Sequence, residues 1–521
     1  LIAGRLVLAS LFLFAACERP SPVAGRVVLA WEAFPLSFDP RIGQDQASQR
    51  LLSFTHQGLI RRNEKLEWVP DGCLDWRWER PFTVLSFDFP NLEEARRLGP
   101  SWFRFPDGRP LGAADALDAI QALRDPSLSS PKAGPFKAEI ENLEIVPAGT
   151  LNRLRITLRA PNPGFPPNLG RAVLGIAPAG TRGPRLPGTG PYRLSEVVAE
   201  QRIVLDPVAG HPDLTAHPGV PQKIEIRLLP DATTRLLSLR HGSVQATLNN
   251  LPTDLLANTR PAQVHRFPGS NLEYIAFQCG HPVLGKPEVR KALALAIDRE
   301  SLVRGLMGGM AREAWGFFPP DLPHGLDARA GLGIPSELKA RRRLAEQLLD
   351  VAGHPRGPGG TRFSLRMSAT PEVSSRMKAI ALQAQWREIG VDLQILTREF
   401  GTLLTEVMGG KFEVVSLRWV GVTDPEMLYE TFHSSRIPPK GFNRGRFSDP
   451  ECDRLLEEAR ACGDPGQRLA RLRQAQQRIV DLAPYAFLWW PDQFAVLAPG
   501  LEVDLNGAGD YRAIWRMDAP R

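Results

Sequence analysis

Residues 160 to 194 read APNPGFPPNLGRAVLGIAPAGTRGPRLPGTGPYRL. Proline fixes φ and removes a backbone donor, and glycine opens turn conformations that other residues resist, so this density forbids a long helix and sets several rigid turns. It separates two differently patterned regions. From Glu67 to Leu158, segments such as FTVLSFDF and LNRLRITLRA predict strands, with a helix from Ala113 to Ala122 between them. After the connection, QRIVLDP and QKIEIRLL lead into the helical TTRLLSLRHG and then VQATLNN, the alternation of a mixed α/β lobe.

Length requires such a division. A chain of 521 residues exceeds what one hydrophobic core normally serves, so two or three lobes are expected. With 43% apolar and 23% charged residues the composition is globular, and disorder is not the default. The formal charge of +7 is dispersed among acidic neighbours. The runs RRR at 341–343 and RRN at 61–63 are short, a solvated helix face and a turn, so no nucleic-acid partner is expected.

At the N-terminus, LIAGRLVLASLFLFAAC places Arg5 before an apolar run from Leu6 to Phe14, and Ala15 and Ala16 lead to Cys17. The run is shorter than the roughly 20 apolar residues of a membrane-crossing helix and reads as an export signal. Leu13 to Cys17 resembles a bacterial lipobox. That implies a signal peptide over 1–16, lipidation of Cys17 and a lipidated tether over 17–25, with the membrane a partner through the anchor. Ordinary secretion and a buried N-terminal strand are the alternatives.

Cys73, Cys279, Cys452 and Cys462 show no CxxC spacing, and both disulfides and isolated thiols stay open. His211 and His217 flank Pro/Gly-rich loop sequence without neighbouring Cys or a helical ligand pair, so neither a metal site nor a cofactor is expected. GxSxG, GxGxxG and HExxH are absent, which leaves no catalytic residue to nominate and a non-enzymatic role to expect.

Further along, VRKALALAIDRESLVRGLM, Val289 to Met307, predicts the clearest helix, and Glu337 to Val351 and Met377 to Ile389 predict two more. VDLQILTREF and FEVVSLRW read as strands, and a long charged helix from Pro465 to Leu482 precedes AFLWWP.

Several segments, in order, resemble one family. They are GTGPYRLSE at 188–196, LEYIAFQCGHPVLGKPEVRKALALAIDRESLV at 272–303, RWVGVTDPEMLYETFHSS at 418–435, FNRGRFSDPECDRLLEEA at 442–459 and RLRQAQQRIVDLAPYAFLWWPDQF at 471–494. The chain is similar, from about Val27 to Trp515, to the extracytoplasmic solute-binding proteins of family 5, the peptide and nickel group of ABC importers. Two places depart from the family pattern. Gly112 stands where threonine is common, weakening a helix cap, and Phe277-Gln278-Cys279 replaces a common Phe-Asn pairing, altering local cleft hydrogen bonding.

The resemblance implies an α/β, two-lobed periplasmic-binding-protein-like fold (type II, cluster C-like) with an additional small β-rich domain in the first lobe. Residues 26–62, 163–262 and 482–521 would form a discontinuous lobe I, 63–162 the inserted small domain and 263–481 lobe II. It further implies a monomer that captures an oligopeptide or dipeptide between the lobes. The peptide would pass to ABC permease subunits powered by separate ATPases. A non-transport peptide receptor or chaperone, a binder of oligosaccharide or metal chelate, and a secreted hydrolase are the competing readings.

Candidate ligand-binding residues follow from position and chemistry. Asp424 matches the family Asp-Pro position, which the resemblance makes a receiver of a ligand's α-ammonium; a desolvated carboxylate suits that task. Trp419, at the end of its strand, offers a broad apolar wall and one N–H donor, while Arg418 should point to the opposite face. Tyr429 brings a hydroxyl to the same region. Trp31 and Phe34 end the first strand, where the resemblance points to the cleft. Asn249 and Asn250 carry donors and acceptors for peptide-like amides, with a plain turn as the alternative, and Gln278 holds a cleft position with a departing residue type.

Overall fold

The computed structural model describes residues 25–501 except 44, 64–66, 172, 217–219, 249–250, 252–254, 257–258, 260–262, 327–328, 330–332 and 500. The expected signal peptide, Cys17 and nearly all of the tether therefore lie outside the described residues, as does His217.

Three principal sheets organise the chain. The first has seven strands in the order Val264–Phe267, Gln493–Leu497, Ala246–Leu248, Arg26–Trp31, Lys223–Leu228, Arg202–Pro207 and Tyr192–Val198. Arg26–Trp31 runs parallel to both its neighbours, and the outer pairs are antiparallel. Val27, Leu29 and Trp31 from the central strand pack with Ile224, Leu51 and Phe54 in this lobe's core.

The second sheet has six strands in the order Ala311–Glu313, Tyr485–Pro491, Leu272–Phe277, Val414–Trp419, Phe363–Ala369 and Val391–Thr397. LEYIAF is buried at all of its positions, as a strand covered on both faces should be. Ile275, Phe277 and Val414 face a core that includes Leu293 and Trp386, where the Trp386 indole donates to the Leu293 carbonyl at 3.0 Å. Tyr274, Val415 and Phe487 face the other core, with Leu428, Leu455 and Ile479. The helices Pro450–Ala461 and Pro465–Leu482 on that side begin at Asp-Pro steps. Asp449 and Asp464 cap the Cys452 and Gln467 amides at 2.8 and 2.7 Å, and proline fills the first helical position, where no donor is needed.

Between 75 and 158, four antiparallel strands in the order Asp75–Arg80, Val84–Pro90, Leu151–Leu158 and Ile140–Ala148 form the small domain. Its core is wider than the expected 63–162, because Leu59, Ile60, Phe165, Leu169 and Leu174 pack into it. The Pro/Gly connection thus supplies core residues as well as turns.

The expected lobe boundaries shift in two places. Val264–Phe267 pairs with Gln493–Leu497 in the first sheet, so lobe II begins after Phe267 rather than at 263. Tyr485–Pro491 pairs with Leu272–Phe277 in the second sheet, so the return to lobe I comes after Pro491 rather than at 482. The two passages lie against each other: a Cβ on Gly269 would collide with the Pro491 carbonyl oxygen. Arg266 pairs with Asp492 beside them, and the Arg312 guanidinium donates to the Gly269 carbonyl at 3.1 Å.

The predicted helix from Val289 to Met307 is two helices, Pro287–Ala296 and Arg299–Met307. Asp298 breaks it by capping the Ser301 amide at 3.1 Å, and Arg299 turns inward to donate to the Phe487 carbonyl at 2.7 Å, its guanidinium 3.9 Å from the Trp315 ring centroid. At Gly112, which has no side chain to cap the next helix, Asp115 compensates by accepting the Gly112 amide at 2.9 Å. The four cysteines among the described residues are free, and Cys73 and Cys452 are buried.

Candidate functional site at the lobe junction

The loop after Trp419 hangs on the first passage between lobes. The Gly421 amide donates to Asn271 Oδ1 at 2.9 Å and the Val422 amide to the Ser270 carbonyl at 2.8 Å, with Gly421 supplying the positive φ of 64°. This tie sets the next residues at the lobe boundary. Asp424 Oδ1 accepts the Glu426 amide at 2.9 Å and so turns the chain into the helix Glu426–Phe432.

The other carboxylate oxygen, Oδ2, faces the first lobe. Arg62, in the short strand Ile60–Arg62, donates to it from Nη2 at 3.4 Å, and the same guanidinium lies 4.3 Å from the Trp68 ring centroid. Both side chains are largely shielded, with 14% of Arg62 and 18% of Asp424 exposed. Burial raises the Asp424 carboxyl above its usual range against the pull of Arg62, and burial lowers the Arg62 guanidinium. Among the described residues this long contact is the one ion pair of Asp424, which leaves that carboxylate short of charge-assisted bonds for its degree of burial.

More contacts cross the boundary nearby. A Cβ on Gly164 would meet the Glu426 side chain, so the Pro/Gly connection lies directly on the start of that helix. Burial, opposed by Arg460 and reinforced by Asp424, pushes the Glu426 carboxyl up to about 8. From the helix Pro465–Leu482, the Arg468 guanidinium lies 5.5 Å from the ring of Phe82 in the small domain. His324 beside them is neutral, its pKa held down to about 3 by burial and by Arg62 and Arg468.

The remaining candidates are placed unevenly. Trp419 stacks on Tyr274 with ring centroids 6.2 Å apart, carries the Arg444 guanidinium 4.5 Å over its face, and has an indole N–H without a partner among the described residues. Arg418 points to the opposite face, as alternation predicts, and donates to Glu273 at 2.5 Å. Tyr429 is held in helix packing between Arg460 at 4.0 Å and Arg436 at 5.0 Å from its ring. Trp31 is 2% exposed and belongs to the first lobe's core, with Arg50 over its ring at 5.9 Å; its N–H also lacks a partner among the described residues. Phe34 is half-buried and edge-on to Phe38 at 6.0 Å. Asn249 and Asn250 lie outside the described residues.

Gln278 is not with the others. It follows the end of Leu272–Phe277 that is remote from the lobe passage, about 20 Å along the strand from Leu272 at the usual rise. There its amide donates to the Gly410 carbonyl at 2.8 Å. Sequence reading missed Arg62, which sits in the RRN run read as a turn, and Arg444, whose guanidinium covers Trp419. The His211 ring bonds the Thr189 carbonyl at 2.9 Å and accepts the Asp213 amide at 3.1 Å. Among the described residues, no cluster of His, Cys, Asp or Glu is arranged to hold a metal ion.

Comparison with known proteins agrees with this architecture. The chain is 25% identical to the probable di/tripeptide-binding protein 5 of Pseudomonas aeruginosa, over 98% of this chain and 99% of that one. It is 26% identical to the periplasmic murein peptide-binding protein MppA of Escherichia coli, over 90% and 88% of the two chains. An unliganded open form of MppA superposes with a TM-score of 0.81 at 22% identity, covering 96% and 99%. Residues 103–438 match the family model of the bacterial extracellular solute-binding proteins, family 5 Middle, and the chain belongs to that family.

Proposed function

We propose that this chain captures a short peptide between its two lobes outside the cytoplasm and presents it to the permease of an ABC importer. The observation that carries the reading is Asp424: a desolvated carboxylate on a loop tied to the lobe passage, meeting the other lobe through one long contact to Arg62. A peptide's α-ammonium would offer it several short charge-assisted bonds and take that place. The exchange would couple ligand capture to the relative position of the lobes, which is the signal a permease reads. Trp419, whose N–H has no partner among the described residues, would border the ligand.

The names of the similar proteins, di/tripeptide-binding and murein peptide-binding, support a peptide as the solute. Lipidation at Cys17 would tether the receptor to the membrane through the 17–25 segment. Mass spectrometry of solutes released when the purified protein is denatured tests the ligand class. Short peptides are expected, and an oligosaccharide or a metal chelate in their place would overturn the reading.

A further inference from the structure

The end of the second lobe remote from the lobe passage carries a cavity of ≈ 620 Å³, between the sheet and the C-terminal end of the helix Phe400–Met408. Gln278 lines it, which gives that displaced residue a different context. Its volume lies in the range of small-molecule sites.

The charge of its lining is unbalanced. Arg366 is paired with Glu413 at 2.5 Å, and Arg398 with Glu406 at 3.3 Å. Two further lining cations, Lys411 and Arg446, have no ion-pair partner among the described residues. Two positive charges are therefore left over at one cavity.

Neutral donors accompany them. Ser368 is 7% exposed, lines the cavity and makes no side-chain hydrogen bond among the described residues. His281 Nδ1 accepts the Val283 and Leu284 amides at 3.3 and 3.4 Å, which leaves Nε2 to carry the ring proton, 4.0 Å from Glu413 Oε1, and the ring also lines the cavity.

Backbone geometry holds the arginine in position. Arg446 has a φ of 52°, a left-handed conformation that a side chain of this size adopts only under constraint. A Cβ on Gly410 would collide with its guanidinium, so Gly410 gives up a side chain where Arg446 passes. Gln278 fixes Gly410 in turn through its carbonyl at 2.8 Å.

We propose that this cavity is a second ligand site, distinct from the lobe junction, that binds the phosphate group of a small phosphomonoester. Two uncompensated cations match the charge of a phosphate dianion. The Ser368 hydroxyl and the His281 Nε2–H add donors for its oxygens, and the volume beyond the phosphate admits an organic group. The site does not depend on Asp424 or on the peptide reading.

Isothermal titration of the full chain with inorganic phosphate and with glycerol phosphate tests it. One saturable site is expected, weakened about tenfold or more in Arg446→Gln/Lys411→Gln. Because strain at Arg446 makes that variant's folding uncertain, Lys411→Gln alone, an exposed position, is measured alongside and should weaken the site about threefold or more. Absence of saturable heat from both ligands, or equal binding by wild type and the well-folded Lys411→Gln protein, would overturn the assignment.

Discussion

The Arg62 guanidinium reaches from the first lobe to within 3.4 Å of the Asp424 carboxylate in the second, across 362 positions of sequence. Neither group is well solvated, and each is shifted toward its neutral form by burial. A contact this long to a desolvated carboxylate is easily exchanged for a better partner. That makes the pair suited to a ligand-operated junction, where a structural clamp would call for bidentate geometry like that of Arg171 and Asp71 at 2.6 and 2.7 Å.

Behind the Trp419 strand, Glu273 is 3% exposed and holds both Lys378, at 2.6 Å, and Arg418, at 2.5 Å. Glu273→Leu leaves Lys378 buried without its counter-charge and should cost about 3–5 kcal/mol in urea unfolding. Arg418 is half exposed and can turn to water. Adding Lys378→Met to Glu273→Leu should therefore recover a large part of the loss, which a double-mutant cycle reads directly.

At the lobe passages, Gly269→Ala drives a methyl group into the Pro491 carbonyl. The two segments must separate, at about 1–3 kcal/mol of overpacking strain. A lowered thermal midpoint together with a changed radius of gyration in small-angle scattering is expected; an unchanged midpoint would show that the passages yield freely.

Three buried imidazoles set an acid limit. His56 and His211 are lowered by burial to about 4 and His324 to about 3, against 6.5 when unfolded. A depressed folded pKa means that the stability it contributes is present above pH 6.5 and is lost as pH falls toward 4, with protons taken up on unfolding. Glu426, raised to about 8, acts in the opposite sense, stabilising the fold as pH falls below 8. His324→Asn should reduce the slope of stability against pH between 6.5 and 4, and Glu426→Gln should remove the opposing component between 8 and 4.5.

Much of the fold is legible in the residues. LEYIAF, apolar but for Glu273, belongs to the strand–loop–helix segment that the resemblance picks out, and the Asp-Pro steps at 449 and 464 announce helix starts. The lobe boundaries are less legible. Val264–Phe267 and Tyr485–Pro491 are assigned to a sheet only by hydrogen-bond partners far away in sequence. The same reason hides Arg62, whose role depends on a partner in the other lobe. Gln278 adjoins a strand correctly read, but which end of that strand faces the junction is a property of the assembled sheet.

The anchor has a separate readout. If Cys17 is acylated, Cys17→Ser should abolish acyl labelling and release the mature chain from the membrane fraction. Labelling and retention that persist in the variant would contradict it.

The central claim is that Asp424 exchanges Arg62 for a peptide's amino terminus. Calorimetric titration of wild type and Asp424→Ala with a bound peptide, in its free and N-acetylated forms, tests it most directly. Loss of one charge-assisted contact should weaken the free-amino peptide by about tenfold or more, with the acetylated analogue much less affected. Equal losses for the two peptides would contradict the claim and leave Asp424 as a contact between lobes.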